Sequence, residues 1–285
     1  MAMAYEKYGP IISTTGDCVV ISGVHPFDLS QTLDCGQAFR WEQNSDGSWS
    51  GIAFGRRLTV SKQNDDILLH NTTLEEYEKI WKTYFDIERN YNIILKQISQ
   101  NDVLNRAARL AGGIRVLNQQ PWETLCSFII SQNNNIARIK GIIKRLCECF
   151  GEQIDGGFAF PAAARLAKLS VNDLEPIKSG FRAKYIIDAA QKIANGEIDT
   201  KLLYSAPLEQ ARSELMKIKG VGVKVADCVL LFAFKRIEAF PQDVWIKKAM
   251  NYLFDGQLPA EAQPYAGIVQ QYIFHYARTT KLELD

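Results

Sequence analysis

What the sequence lacks already limits the kind of protein it can encode. No apolar stretch approaches the roughly 18 residues of a membrane-spanning helix, and no signal peptide is recognisable. We therefore expect no membrane partner and an intracellular protein with reduced thiols, in the cytoplasm or nucleoid if the source is prokaryotic. Internal repeats, low-complexity tracts and coiled-coil heptads are also missing, which indicates ordinary globular domains.

The chain also lacks a strong net charge and a metal motif. Its 33 Lys and Arg residues nearly balance 32 Asp and Glu residues, for a formal charge of +1. A protein that covers a large DNA surface is usually more basic, whereas an enzyme that grips a few phosphates through backbone amides need not be. Among six cysteines, Cys147 and Cys149 have no second pair at ligand spacing, and the three histidines lie far apart. We expect no metal and no cofactor.

The two parts of the 285-residue chain differ in hydrophobic period. The N-terminal part contains short β-branched and aromatic segments separated by turn residues: CVVISGV, QAFRWEQ, SWSGIAF, RRLTVSK and DILLH. From Thr73 onward, apolar residues recur at helical spacing. This pattern predicts an α+β fold, with an antiparallel β-rich domain and flanking helices over residues 1–118. A helical domain would follow over residues 119–285.

Several helix starts can be assigned from the sequence. A proline at the first position opens the segment PWETLCSFIISQ, and IARIKGIIKRLCECF forms a long amphipathic stretch over residues 136–150. We expect another helix over residues 223–234 and a last one over residues 265–279. Asp243 has the chemistry of an N-cap for the helix VWIKKAMNYLF.

The stretch ELMKIKGVGVKVADCVLLFAF predicts two helices joined by a glycine-rich turn. Gly220 and Gly222 permit a tight turn and keep side chains away from the backbone. The amides of Val221 to Lys224 would lie at a helix N-terminus, which favours binding of a phosphate. This arrangement resembles a helix-hairpin-helix motif that holds the DNA backbone. The alternative is a short interhelical turn in which glycine simply ends a helix.

Lys224 follows this turn at the positive end of a helix dipole, where a cation is disfavoured. A lysine in that position exists more readily as the free amine, which attacks electrophilic carbon and can form a Schiff base. Asp243, nineteen residues on, can stabilise cationic character in a transition state or assist proton movement. The alternatives are a solvated surface lysine and an aspartate that only caps its helix.

Together, GVGVKVADC and FPQDVW resemble the helix-hairpin-helix, Gly-Pro-Asp class of DNA glycosylases. Within this class the chain is similar to the 8-oxoguanine DNA glycosylase/lyases along nearly its whole length. Four segments carry the similarity: LDCGQAFRW (residues 33–41), FIISQNNNIARIKG (128–141), GFRAKYI (180–186) and PYAGIVQQYIF (264–274). No cysteine follows Cys228, so the iron–sulfur cluster of some relatives is not implied.

The resemblance implies base-excision repair by a monomer acting on double-stranded DNA that contains 8-oxoguanine opposite cytosine. The damaged base would be flipped into a pocket. Lys224 would attack the sugar C1′ and expel the base, and the resulting Schiff base would allow β-elimination of the 3′ phosphate. Asp243 would stabilise the cationic sugar.

Five residues match the family's base pocket. The Gly36 carbonyl would accept the N7–H that 8-oxoguanine has and guanine lacks, so that guanine is rejected mostly by repulsion and desolvation. Phe274 and Cys228 would sandwich the ring, Gln270 would read its Watson–Crick edge, and Phe128 would complete the pocket. Alternatively, Gly36 is a β-bulge, and Phe274 and Gln270 are a core aromatic and a surface amide four residues apart.

Other matches concern the DNA around the lesion. Asn133 would fill the gap in the base stack, while Arg138 and Arg182 would bond the orphaned cytosine. The alternative for Asn133 is an ordinary loop. Phe181 replaces the tyrosine of animal-type members and Trp245 replaces histidine, so the DNA contacts of both and the selectivity for the opposite base are in question.

Two other functions remain open at this point. A glycosylase for alkylated purines would typically use water and lack the lysine. A non-catalytic helix-hairpin-helix module would keep the turn and would not depend on Lys224.

Overall fold

A six-stranded antiparallel sheet forms the N-terminal part of the computed structural model, which describes residues 9–280. The strand order is β1-β2-β6-β5-β4-β3, and the predicted α+β class is confirmed. The strands are β1 Ile11–Thr15, β2 Cys18–Ser22, β3 Trp41–Gln43, β4 Trp49–Ala53, β5 Arg56–Gln63 and β6 Asp66–His70.

The sheet forms because its strands alternate buried and exposed residues, so that one face can be covered. Val19 and Ile21 of β2, and Leu69 of β6, are fully buried. They pack in one cluster with Trp41 and Trp81. Such alternation is typical of an antiparallel sheet that is solvated on its other face.

Helices dominate the rest of the described chain. The early ones are α1 Leu29–Leu33, α2 (Leu74–Glu76, the π-helical turn Tyr77–Trp81 and Lys82–Tyr84), α3 Tyr91–Ile98 and α4 Asp102–Ala111. The later ones are α5 Pro121–Ser131, α6 Ile136–Phe150, α7 Ala163–Leu166, α8 Ala183–Ala194, α9 Thr200–Ser205, α10 Leu208–Leu215, α11 Val223–Ala233, α12 Val244–Phe254 and α13 Ala266–Thr279. Short 3-10 segments lie at Asn172–Ile177, Gly180–Arg182 and Ala260–Tyr265, and a small hairpin pairs β7 Gln153–Ile154 with β8 Gly157–Phe158.

The helical core extends beyond the part of the chain predicted as helical domain. Helices α3 and α4 precede residue 118, yet their buried side chains belong to the helical cluster, and α4 packs along α13. The division at residue 118 therefore stays a prediction. The fully buried Arg115 joins distant segments of the N-terminal part, because its guanidinium donates to the carbonyl oxygens of Phe85, Pro26 and Arg89.

The structure differs from the sequence predictions in two strands. β1, with the sequence IISTT, was not predicted, and among residues 9–280 it pairs only with β2, at the edge of the sheet. The predicted strand QAFRWEQ is a strand only over Trp41–Gln43. Within residues 9–280, no helix is long and apolar enough to cross a membrane.

Candidate active site

One cavity of about 460 Å³ lies between the loop that follows α1 and the helices α5, α11, α12 and α13. Its volume is within the usual range for small-molecule pockets. Its wall contains both residues predicted to be catalytic, all five predicted for the base pocket, and one predicted to contact DNA: Gly36, Phe128, Lys224, Cys228, Asp243, Trp245, Gln270 and Phe274. Residues far apart in the sequence thus converge on a single space.

Lys224 is the second residue of α11, directly after the N-cap Gly222 and Val223. Its side chain is half-buried, and its Nζ lies 5.3 Å from the centroid of the Phe128 ring. Phe128 is held in place by stacking on Phe232, with ring centroids 5.4 Å apart. The amine therefore lies over an aromatic wall of the cavity, unlike a fully solvated surface lysine.

Cys228 lies one helical turn after Lys224 and is buried. Burial raises the pKa of its thiol to about 11, although the nearby Lys224 charge lowers it and the Asp243 charge raises it further. The thiol is accordingly neutral at neutral pH. A neutral sulfur offers a soft, polarisable surface on which a flat ring can pack.

Asp243 is the N-cap of α12, as the sequence predicted. Its Oδ1 accepts a hydrogen bond of 2.8 Å from the backbone N–H of Ile246. The same side chain lines the cavity, so the cap fixes a carboxylate beside Lys224 in the same wall. The first turns of α11 and α12 therefore meet at the cavity, one with an amine and the other with an anion.

Gly36 lies in a bend between α1 and β3 and is not a bulge within a strand. Its φ of +86° is in the left-handed region, and an added Cβ would meet only Ile136 Cδ1 at 3.8 Å. The side chain of Gln37 holds this bend in place. Its buried amide donates to the carbonyl oxygens of Thr32 and Arg115 and accepts from the backbone N–H of Leu117.

Helix α13 presents one face to the cavity. Gln270 is buried, Phe274 is partly buried, and the exposed Arg278 follows at the same helical spacing. Gln271, also buried, lines the cavity beside Gln270. Sequence reasoning missed Gln271, Arg278 and Gln37, although the doubled glutamine and the four-residue spacing from Phe274 to Arg278 were visible signals.

The predicted hairpin is formed by α10 and α11. Gly220 has a φ of +79°, and a Cβ there would lie 2.6 Å from the Tyr185 ring, so both conformation and space require glycine. Val221 is buried, whereas Gly222 is exposed with no atom within 4 Å of its Cβ position. The exposed N-terminus of α11 is therefore open to an approaching phosphate.

Two acidic side chains hold this hairpin. Asp188 of α8 accepts 2.8 Å from the backbone N–H of Lys219 and 2.9 Å from Lys192 Nζ. Asp227 of α11 forms a bidentate pair with Arg212 of α10, at 2.6 and 3.1 Å. Burial raises the pKa of Asp227 in spite of this pair. The turn is thus fixed from both sides.

The remaining DNA-contact candidates lie outside the cavity wall. Arg182 is buried and donates to the carbonyl oxygens of Gln132, Asn133 and Ser179. Its guanidinium also lies 4.4 Å from the centroid of the Phe181 ring, which is half exposed. Arg182 thus supports the loop that carries Asn133 and has few donors left for a base.

Asn133 and Arg138 are exposed, as is the neighbouring Phe181. Asn133 projects from the loop with a φ of +48°. Burial and the neighbouring charge of Arg138 lower the pKa of Arg182, which indicates that the two guanidinium groups are close. Of these two arginines, Arg138 is the one that is exposed to a ligand. The contacts predicted between the two arginines and the orphaned cytosine stay predictions.

Comparisons with known proteins agree with these observations. The N-terminal domain of 8-oxoguanine DNA glycosylase matches residues 19–125, and the HhH-GPD superfamily of base excision DNA repair proteins matches residues 126–261. Among the described residues, no group of three or more His, Cys, Asp or Glu side chains is arranged to hold a metal ion.

Three relatives illustrate the similarity. An N-glycosylase/DNA lyase of Saccharomyces cerevisiae is 41% identical over 77% of this chain, which spans 66% of that protein's length. The N-glycosylase/DNA lyase OGG1 of Arabidopsis thaliana is 32% identical, with coverage of 83% of this chain and 69% of that one. The Clostridium acetobutylicum 8-oxoguanine glycosylase/lyase, solved with double-stranded DNA containing cytosine opposite 8-oxoG, is 36% identical with a TM-score of 0.89, over 95% of this chain and 99% of that one. By domain content, sequence and fold, the chain belongs to the 8-oxoguanine DNA glycosylase family, whose named members are N-glycosylase/DNA lyases.

Proposed function

We propose that the protein is a bifunctional glycosylase/lyase that excises 8-oxoguanine opposite cytosine from double-stranded DNA and cleaves the resulting abasic site. One observation carries this proposal: Lys224 and Asp243 line the same cavity as the residues that match the family's base pocket. A cavity of about 460 Å³ has room for a flipped purine.

The chemistry follows from the positions of the two charged groups. With the lesion in the cavity, the neutral amine of Lys224 attacks C1′, and the base leaves with the electron pair of the glycosidic bond. One amine proton goes to the departing base, and the other goes to O4′ as the C1′–O4′ bond breaks. The ring-opened sugar is thereby joined to Lys224 as a Schiff base, whose protonated form acidifies the C2′ proton. Loss of this proton expels the 3′ phosphate by β-elimination. Asp243 stabilises the positive charge that develops on the sugar.

The protein recognises the lesion at the two faces of its ring and at one edge. Cys228 and Phe274 provide soft surfaces against the two faces, and the neutral state of the thiol avoids burying a charge. The carbonyl of Gly36 accepts the N7–H of 8-oxoguanine. With guanine, the same carbonyl would face a lone pair and remain unpaired, which disfavours the undamaged base.

The orphaned cytosine is the partner we propose for the exposed guanidinium of Arg138, with Arg182 fixing the adjacent loop. The complex of the Clostridium relative, which contains cytosine opposite the lesion, supports this choice of duplex. A glycosylase for alkylated purines is less compatible with an amine at Lys224, and a binding module would not need one.

The proposal is tested by borohydride trapping on a duplex with one 8-oxoguanine opposite cytosine. We expect a covalent protein–DNA adduct with the wild-type chain and none with Lys224→Gln. Lys247→Gln is the matched control, because Lys247 is an exposed lysine on α12 outside the cavity wall. A wild-type chain that forms no adduct and releases no base would refute the proposal.

A further inference from the structure

Two consecutive glutamines of α13 form a hydrogen-bonded amide pair in the cavity wall. Gln270 and Gln271 are each only 5% exposed, and both line the cavity. The Nε2 of Gln271 donates to the Oε1 of Gln270 over 2.6 Å. This bond fixes the orientation of the Gln270 amide. Within residues 9–280, Gln270 Nε2 donates to no protein acceptor, so it is available to a ligand.

The other end of the pair is an acceptor without a partner. In the described part of the chain, the Oε1 of Gln271 is buried and accepts no hydrogen bond. A buried acceptor of this kind destabilises a fold unless something supplies a donor. Gln271 belongs to the cavity wall, and its oxygen, which exposes almost no surface in the empty cavity, would need only a small shift of the amide to meet a donor of a bound molecule.

The pair therefore offers one donor and one acceptor from adjacent residues. The Watson–Crick edge of a guanine-type base presents the complementary order: the O6 acceptor next to the N1–H and N2–H donors. An adenine-type base presents a donor at position 6 and an acceptor at N1, which would set like groups against each other. Such mismatches cost more than a hydrogen bond gains, because they leave buried groups unpaired.

We propose that Gln271 is a specificity-determining residue, which fixes the Gln270 amide and accepts from the Watson–Crick edge of the flipped base through its own Oε1. This proposal rests on the proposed function, since it requires a flipped purine in the cavity. Its consequence is selectivity for oxidised guanine-type bases over oxidised adenine-type bases. Removal of the Gln271 amide weakens excision of the base and leaves the lysine chemistry intact.

Gln271→Met tests the proposal, because methionine keeps the length of the side chain and removes both hydrogen-bonding atoms. Excision is measured under single-turnover conditions on two duplexes that differ only in carrying 8-oxoguanine or 8-oxoadenine. A third duplex carries a preformed abasic site, which has no base to recognise. We expect 8-oxoguanine excision to fall about tenfold and its preference over 8-oxoadenine to narrow, with abasic-site cleavage within about twofold of wild type.

Tyr272→Phe is the matched control. Tyr272 lies next in the same helix, and its buried hydroxyl also lacks a partner, but it is not part of the cavity wall. Tyr272→Phe removes only an unpaired buried oxygen and should leave the melting temperature unchanged. Gln271→Met also removes the donor to Gln270 Oε1, so a slight fall in its melting temperature is expected. Only Gln271→Met should change the preference between the two lesions.

The outcomes separate the two proposals. An unchanged preference in Gln271→Met, or equal losses on the lesion and on the abasic site, would overturn the role of Gln271. A lowered melting temperature with parallel losses on all duplexes would identify a purely structural residue and would overturn it as well. If the proposed function itself is wrong, the wild-type chain will fail on both the 8-oxoguanine and the abasic duplex.

Discussion

The cavity has two walls of different character. The helical wall contributes ionisable and soft side chains: Lys224 and Asp243 at the starts of α11 and α12, and Cys228 one turn further along α11. The N-terminal wall contributes the bend around Gly36, held by hydrogen bonds from the side chain of Gln37. The helical wall contains groups that can react with the sugar, whereas the bend at Gly36 contains only a backbone acceptor that can recognise the base.

This difference separates chemistry from selectivity within one pocket. Side chains at helix starts have positions fixed by capping and by the helix backbone, so their reactive atoms are well ordered. A backbone carbonyl in a left-handed bend brings an acceptor close to a base without a side chain in between. Substitutions of Lys224 and Asp243 should therefore reduce rates on every substrate. Substitutions at the Gly36 bend, like those of Gln271 on α13, should instead change how well the base is recognised.

The largest effect is expected for Asp243→Asn in the helical wall. Asparagine caps a helix about as well as aspartate, so the melting temperature should stay close to that of wild type. The negative charge beside the developing sugar cation is lost, and single-turnover excision should fall about 100-fold. Asp243→Ala should lose the same activity and, in addition, about 1 kcal/mol of unfolding free energy, because its cap is gone.

Measurement of excision and of thermal unfolding on both variants separates the two roles of Asp243. If Asp243→Asn keeps full excision while Asp243→Ala loses stability, the side chain only caps α12, and the electrostatic role is wrong.

A smaller effect is expected for Gly36→Ala in the N-terminal wall. The site has room for a methyl group, but the φ of +86° costs an L-residue about 1 kcal/mol or somewhat more. A shift of the carbonyl should lower the rate of 8-oxoguanine excision about tenfold, which corresponds to a loss of roughly 1.4 kcal/mol of transition-state stabilisation. Cleavage at a preformed abasic site, which uses the helical wall, should change little.

Gly16→Ala provides the control for this strain. Gly16 has a φ of +55°, no atom lies within 4 Å of its Cβ position, and it is in an exposed turn between β1 and β2. Its alanine variant should lose similar stability with no loss of excision. Equal losses of excision in both variants would mean that the Gly36 carbonyl has no special role.

The smallest effect concerns the support of the hairpin. Burial alone would raise the pKa of Asp188, but hydrogen bonds from Lys219 N–H and Lys192 lower it below its usual value. A carboxylate with a lowered folded-state pKa stabilises the fold above its unfolded value of about 3.9, and this stabilisation is lost as pH falls further. Asp188→Asn should therefore be less stable than wild type at pH 6, with a gap that narrows below about pH 4.

Urea unfolding across this pH range measures the gap directly. A gap that does not change with pH would mean that the Asp188 charge contributes nothing to the hairpin.

Local patterns in the sequence predicted the parts of the fold that depend on neighbouring residues. The helix Ile136–Phe150 and the N-cap at Asp243 agree with the prediction because periodicity and capping are local properties. β1 was missed since IISTT is a largely exposed edge strand. β3 is shorter than predicted because Gln37 turns inward and bonds to the backbone of distant segments.

In the site, too, the sequence predicted the features that depend on neighbouring residues and missed those that depend on distant contacts. The glycine turn and the lysine and aspartate around it formed a pattern that the sequence could reveal. The role of the Gly36 carbonyl was predicted only from the family resemblance, since no local sequence pattern marks this carbonyl. Gln271 needed the three-dimensional structure, because an unpaired buried oxygen has no signature in a sequence. The packing of α3 and α4 against the helical core depends on equally distant contacts.

The amine of Lys224 is the nucleophile that we propose for the helical wall. Peptide mapping of the borohydride-trapped adduct by mass spectrometry tests it most directly. We expect a reduced sugar remnant on the peptide that contains Lys224. A remnant on another lysine, such as Lys219 or Lys247, or release of 8-oxoguanine with no adduct at any residue, would contradict it.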